Sequence, residues 1–190
     1  MKRENKIFNM VVTAVFAAVI AVGAFTSLRI ATIPFTLQSF AVFLALGTIG
    51  WKRGTVSVII YLLLGLVGAP VFSGFKSGAG VLFGPTGGFL TGFVFMGLVY
   101  GGVSRMLTKT SLPGLAVKIV SFLCGNIVLY VSGCLTYAFV YLKQVDIPSL
   151  TASFSACVLP FLLPDAIKLA VAAIISQQFE KLKIMKKYGI

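Results

Sequence analysis

The sequence predicts an all-α integral membrane protein: a single membrane domain, residues 1–190, of six transmembrane helices with cytoplasmic N- and C-termini. Three observations carry this. Mean hydropathy is +1.04. Only 11% of the residues are charged, against about 25% in soluble domains, so the chain cannot clothe a water-facing surface. The basic residues also fall in short clusters between long apolar stretches, the pattern that orients helices in a bilayer.

The first element is the uncharged run from Ile7 to Leu28. About 20 residues at 1.5 Å each cross a 30 Å hydrocarbon core, so this run spans. It exceeds the core of a signal peptide and leads into further membrane-length segments, which makes it a retained helix. Ala14 with Ala18, and Ala17 with Ala21, place small residues on two adjacent faces. Such faces allow close helix contact, with a partner or within the same bundle.

A Pro-containing loop, Ala31–Pro34, follows Arg29. The next two spans, 36–50 and 55–68, are short, and the charged Trp51-Lys52-Arg53-Gly54 between them reads as a tight interfacial turn. Residues 69–87 are too rich in Gly and Pro for a regular helix, yet Val71, Phe72, Val81, Leu82 and Phe83 keep them apolar. We expect a Gly-rich outer loop that caps a ligand site, not a solvated tether. The fourth span is 88–107, with Gly88, Gly92 and Gly97 permitting close backbone approach. The fifth is 116–141. The sixth, 164–183, starts at Pro164, where proline is tolerated, and leaves Leu150–Leu163 as a capping loop or short helix.

The charges test this count. With six spans, the inner side holds Lys2, Arg3, Lys6, Lys52, Arg53, Arg105, Lys109, Lys118, Lys181, Lys183, Lys186 and Lys187. The outer side holds Arg29, Lys76 and Lys143. Twelve against three fits the positive-inside rule, and an odd count would spoil it. The net charge of +12 therefore reflects membrane orientation rather than nucleic acid binding, with contact to lipid headgroups as a consequence.

Most catalytic chemistry is excluded. The chain has no histidine, which removes the usual general base and the commonest metal ligand. Cys124, Cys134 and Cys157 lie in apolar runs without CxxC spacing and read as packing residues. Gly74-Phe75-Lys76-Ser77 lacks the spacing of a phosphate loop, so no nucleotide-hydrolysing module is present. We therefore assign no catalytic residues, metal or cofactor.

Polar residues inside the spans are few. Asp146 lies beside Lys143 in an expected outer loop and reads as a solvated charge. Asp165 and Lys168, three apart, share a helix face within the membrane. An intramembrane charge costs at least ~2.5–3.5 kcal/mol at the centre on insertion scales and marks a functional site by default. Mutual pairing near a helix N-terminus explains why the pair is tolerated, but not why an apolar bundle carries it. Asn126 and Tyr130, one turn apart on the fifth span, and Gln38 are weaker candidates, since interhelical hydrogen bonding also accounts for them.

An ordered set of motifs resembles one family. It comprises Ile33-Pro34-Phe35-Thr36-Leu37-Gln38, Leu62 through Phe72, Gly84-Pro85-Thr86-Gly87-Gly88, Gly125-Asn126 with Tyr130, and Leu159 through Asp165 leading to Lys168. These are similar to the biotin-specific substrate-binding (S) component of energy-coupling-factor (ECF) transporters, across nearly the whole chain. The resemblance implies a bacterial plasma-membrane protein that captures biotin outside and delivers it inward. It further implies a transmembrane coupling protein and two ATP-binding-cassette ATPases as partners, with Ala14 and Ala18 at the coupling contact. On this reading the ligand meets Asp165, Lys168, Asn126, Tyr130 and Gln38. Asp165 would accept from ureido N–H groups, Asn126 or Lys168 would donate to the ureido oxygen, and backbone N–H groups at Gly80, Val81 and Leu82 would meet the carboxylate. Two alternatives stand beside it. One is an S component of the same fold for another water-soluble vitamin. The other is a small intramembrane enzyme using Asp165, which would lack a second convergent carboxylate.

Overall fold

The computed structural model describes residues 2–28 and 35–181. Expectations resting on Arg29, Ile33 and Pro34, and on Lys183, Lys186 and Lys187, lie outside the described residues. So does the expected end of the sixth span. The helices are α1 (Lys2–Phe25), α2 (Gln38–Thr48), α3 (Trp51–Leu66), α4 (Ala79–Leu82), α5 (Gly87–Leu107), α6 (Gly114–Tyr137), α7 (Ile147–Cys157) and α8 (Leu162–Lys181). A π-helical turn (Ala138–Leu142) extends α6, and a 3-10 turn (Leu159–Phe161) joins α7 to α8. The flanks of the expected first loop pair as antiparallel strands, β1 (Ser27–Leu28) with β2 (Phe35–Thr36).

The short helix α2 is the axis of the bundle. It packs against α1, α3, α5 and α8 and buries nearly all of its residues. A helix apolar on every side belongs in such a place. Its 11 residues rise about 16 Å, and the 16 of α3 about 24 Å, so neither crosses a bilayer core unaided. Among the described residues, four helical stretches are long and apolar enough to cross: Lys6–Phe25, Gly87–Leu107, Gly114–Leu142 and Ile147–Glu180. The last is broken at Val158 by the 3-10 turn.

α5 packs most extensively against α6. A Cβ on Gly88 or Gly92 would collide with Ser132, whose Oγ donates to the Gly88 carbonyl at 2.8 Å. Gly97 instead faces Thr55 of α3.

The structure corrects two local expectations. Trp51-Lys52-Arg53-Gly54 is not a turn but the first turn of α3. The chain reverses at Ile49-Gly50, where Gly50 has φ 83°, a conformation that glycine adopts without steric cost. Trp51 then lies beside two cations, with Arg105 4.5 Å and Lys52 5.7 Å from its ring. The Gly-rich loop carries one turn of helix, α4, where none was expected. Lys118, within the expected fifth span, lies in the second turn of α6 and is buried. Asp146 caps α7, its Oδ1 accepting from the Ser149 N–H at 2.9 Å, and these Ser149 bonds hold its carboxyl below the usual range.

Candidate functional site

Asp165 falls in the first turn of α8, where the positive end of the helix dipole favours a carboxylate. Pro164 precedes it at a position with no intrahelical N–H bond to lose, so the helix starts two residues earlier than expected at no cost. Lys168, one turn on, reaches back to Asp165 Oδ1 at 2.9 Å. Both side chains are buried, at 5% and 8% exposure for the residues.

Two further helices close the cluster. From α2, Ser39 Oγ donates to Asp165 Oδ1 and accepts from Lys168 Nζ, both at 3.2 Å. From α6, the Tyr130 hydroxyl donates to Asp165 Oδ2 at 2.8 Å. Lys168 Nζ also donates to the Thr36 carbonyl at 2.7 Å and lies 4.0 Å from the Phe35 ring centre. Its three protons thus have three acceptors. Asp165 has about four acceptor positions, and Lys168, Ser39 and Tyr130 occupy three of them. Among the described residues this leaves about one acceptor position on Asp165, where the sequence reading has the carboxylate accepting from ureido N–H groups.

This cluster forms the buried end of a cavity of about 670 Å³, within the range of small-molecule sites. Phe72, Phe89, Leu90, Phe93 and Leu129 supply apolar walls. Tyr137 and Tyr141 stack with ring centres 4.8 Å apart and both face the cavity. The π-helical turn after Tyr137 accompanies this, a distortion often found at functional sites. Loop residues Ser73, Gly74, Lys76 and Gly84–Thr86 complete the wall.

The chain matches the model of the BioY family over residues 1–184. It belongs to the BioY family. It is 37% identical to a biotin transporter BioY of Thermotoga maritima over 176 residues, 93% of this chain and 98% of that protein. It is also 37% identical to a probable biotin transporter BioY of Pyrococcus horikoshii, over 88% of this chain and 93% of that protein. Among solved structures it is similar to the S-component for biotin from an ECF-type ABC transporter. That likeness has a TM-score of 0.82 at 26% identity and covers 96% of this chain and 95% of that one. This BioY-family chain is a multi-pass cell membrane protein with the fold of an ECF S component.

The sequence-derived candidates separate on this geometry. Asp165, Lys168, Tyr130, Gln38, Gly80 and Val81 line the cavity. Asn126 does not; it is buried behind Tyr130, and its Oδ1 has no hydrogen-bond partner among the described residues. Leu82 also lies off the wall and packs against the core. The Val81 N–H closes on the Gly78 carbonyl at 3.2 Å, so it is not free to meet an anion. Gln38, 4% exposed, has its side chain against the buried Tyr61 hydroxyl, and its Nε2 makes no bond of full hydrogen-bond geometry among the described residues. Sequence reasoning missed Ser39 and Thr36. A small hydroxyl in an apolar helix carries no signal, and a backbone carbonyl carries none at all.

The two small-residue faces of α1 also separate. Ala17 and Ala21 are buried in the core, whereas Ala14 and Ala18 face outward among exposed Val11, Val15 and Val22.

Proposed function

We propose that this chain is the biotin-binding S component of an ECF-type uptake transporter. Supporting the assignment are the family, the biotin transporters among its relatives and the biotin S-component to which the fold is similar. The observation that carries the site is the buried Asp165–Lys168–Ser39–Tyr130 cluster at the end of an aromatic cavity.

Biotin has the matching chemistry. Its ureido ring offers two N–H donors and one carbonyl, its thiophane is apolar, and its tail ends in a carboxylate. One ureido N–H takes the remaining acceptor position on Asp165, and the Gln38 amide donates to the ureido oxygen. Phe72, Phe93 and Tyr137 cover the rings. Asn126 acts behind Tyr130, by holding its helix position, and not on the ligand.

The chain crosses the membrane six times with both ends cytoplasmic. α2 and α3 are the second and third of these spans, a hairpin of two short helices completed by the flanking loops, and the cavity opens outward beneath the Gly-rich loop. A transmembrane coupling protein and two ATPases supply energy. Ala14 and Ala18 form the coupling contact, a reading supported by their outward position. No catalytic step is assigned to this chain.

The test is mass spectrometry of the small molecule that co-purifies with the solubilised protein. Biotin is the expected species; a different vitamin keeps the fold and overturns the substrate. Bulky replacements at Ala14 and Ala18 should lower coupled uptake while biotin binding by the isolated chain persists. Equal loss of both would return these positions to internal packing.

A further inference from the structure

We infer that Lys76, on the Gly-rich loop, selects for the anionic end of the ligand. The inference rests on the biotin reading above and adds a second, charge-reading subsite to it.

The chain has four acidic residues, Glu4, Asp146, Asp165 and Glu180, and among the described residues only Asp165 lines the cavity. Lys168 neutralises it, and all three ammonium protons of Lys168 already have acceptors. That pair is closed on itself and cannot take a carboxylate without giving up a bond. A ligand that carries one negative charge therefore needs another cation. Among the described residues Lys76 is the other lining residue with a positive side chain, and it has no ion-pair partner there.

Its position is built rather than incidental. The Lys76 carbonyl accepts from the Phe72 N–H at 3.0 Å, and Phe72 is wedged into the core at 1% exposure. Two residues later, the Gly78 N–H donates to the Gly65 carbonyl at 2.7 Å, which ties the loop to α3. A Cβ on Gly65 would enter the Phe72 ring, so the two anchors share one fit. Between them the backbone bends through Gly74 (φ 72°) and Phe75 (φ 57°). The loop thus holds an unpaired ammonium at the exposed rim of a cavity whose buried end is neutral overall.

Calorimetric titration of the purified chain with biotin and with its neutral primary amide tests this. The natural protein should bind biotin more tightly than the amide, and that preference should shrink with added salt. Lys76→Met should weaken biotin about three- to tenfold, as expected for a partly solvated charge contact, and leave the amide unchanged. Lys76→Arg should keep the preference. An undiminished preference in Lys76→Met overturns the subsite while biotin binding itself still stands. Failure of the natural protein to bind biotin overturns the reading beneath it. Amide binding in Lys76→Met also reports that the variant is folded.

Discussion

Lys168 and Lys118 both sit inside the bundle, at 8% and 6% exposure, and each pairs with an acid of α8. Their surroundings differ. The Lys168 partner, Asp165, has a side chain only 7% exposed, and the pair fronts the cavity. The Lys118 partner, Glu180, is 55% exposed, and no part of that group lines the cavity. Lys118 Nζ instead donates to the Gly47 carbonyl at 3.4 Å and to Ser176 Oγ at 3.3 Å. It caps the C-terminal end of α2, where the helix dipole favours a cation. Eleven residues of α8 separate Asp165 from Ser176, about 16 Å along the axis. A buried cation alone does not mark a binding site. A pair buried on both sides and facing a cavity does.

Removal of the inner acid should produce the largest effect. Asp165→Asn keeps the shape but loses the charge and an acceptor oxygen, so biotin should bind at least about tenfold more weakly. Asp165→Ala should bind more weakly still. It should also melt earlier, because stranding one member of a buried pair costs about 3–5 kcal/mol. Calorimetry and a melting curve on the same preparation measure both. Unchanged affinity in Asp165→Asn would erase the distinction between the two lysines.

Ser39→Ala should have a smaller effect of the same kind. The hydroxyl makes two 3.2 Å bonds within the cluster, and one net hydrogen bond is worth about 0.5–1.5 kcal/mol. Biotin affinity should fall roughly two- to tenfold. An increase in affinity would mean that Ser39 competes with the ligand for Asp165.

These two residues also show what was legible in the sequence. Asp165 and Lys168 stood out because charges in an apolar run are expensive, and Tyr130 because helical spacing put it one turn from Asn126. The four-residue charged run at Trp51 was misread because interfacial turns and helix starts share a composition. The deciding feature was the backbone of Gly50, one residue earlier. Lys118 falls inside the expected fifth span, but its burial was not legible, since a long aliphatic stem that buries itself looks the same in sequence as one that reaches water. Ser39, the Thr36 carbonyl and the rim position of Lys76 depend on contacts between residues far apart in the chain. The alternating apolar pattern cannot report those.

Lys118→Met should separate stability from binding. The substitution keeps an unbranched stem and leaves the Gly47 carbonyl without its cation. Melting should therefore occur at a lower temperature, with biotin affinity within about twofold of the natural value. A parallel loss of affinity would mean that the far end of α2 transmits strain to Ser39, nine residues before Thr48.

Glu180→Gln should be the mildest change, and it probes why Lys118 is tolerated in the core. Over half of the Glu180 side chain is exposed, so water and salt screen its 2.9 Å contact with Lys118. Exposed ion pairs contribute at most about 1 kcal/mol, which corresponds to about 2–4 °C or less in a chain of this size. The amide of glutamine can still accept a hydrogen bond from Lys118, which reduces the loss further. Biotin affinity should not change, because the contact lies about 16 Å or more along α8 from Asp165. Thermal denaturation of Glu180→Gln beside Lys118→Met decides the point. A shift as large as that of Lys118→Met would show that the carboxylate, and not the α2 carbonyl, holds the lysine in place. The outer pair would then depend on its acid as the inner pair does.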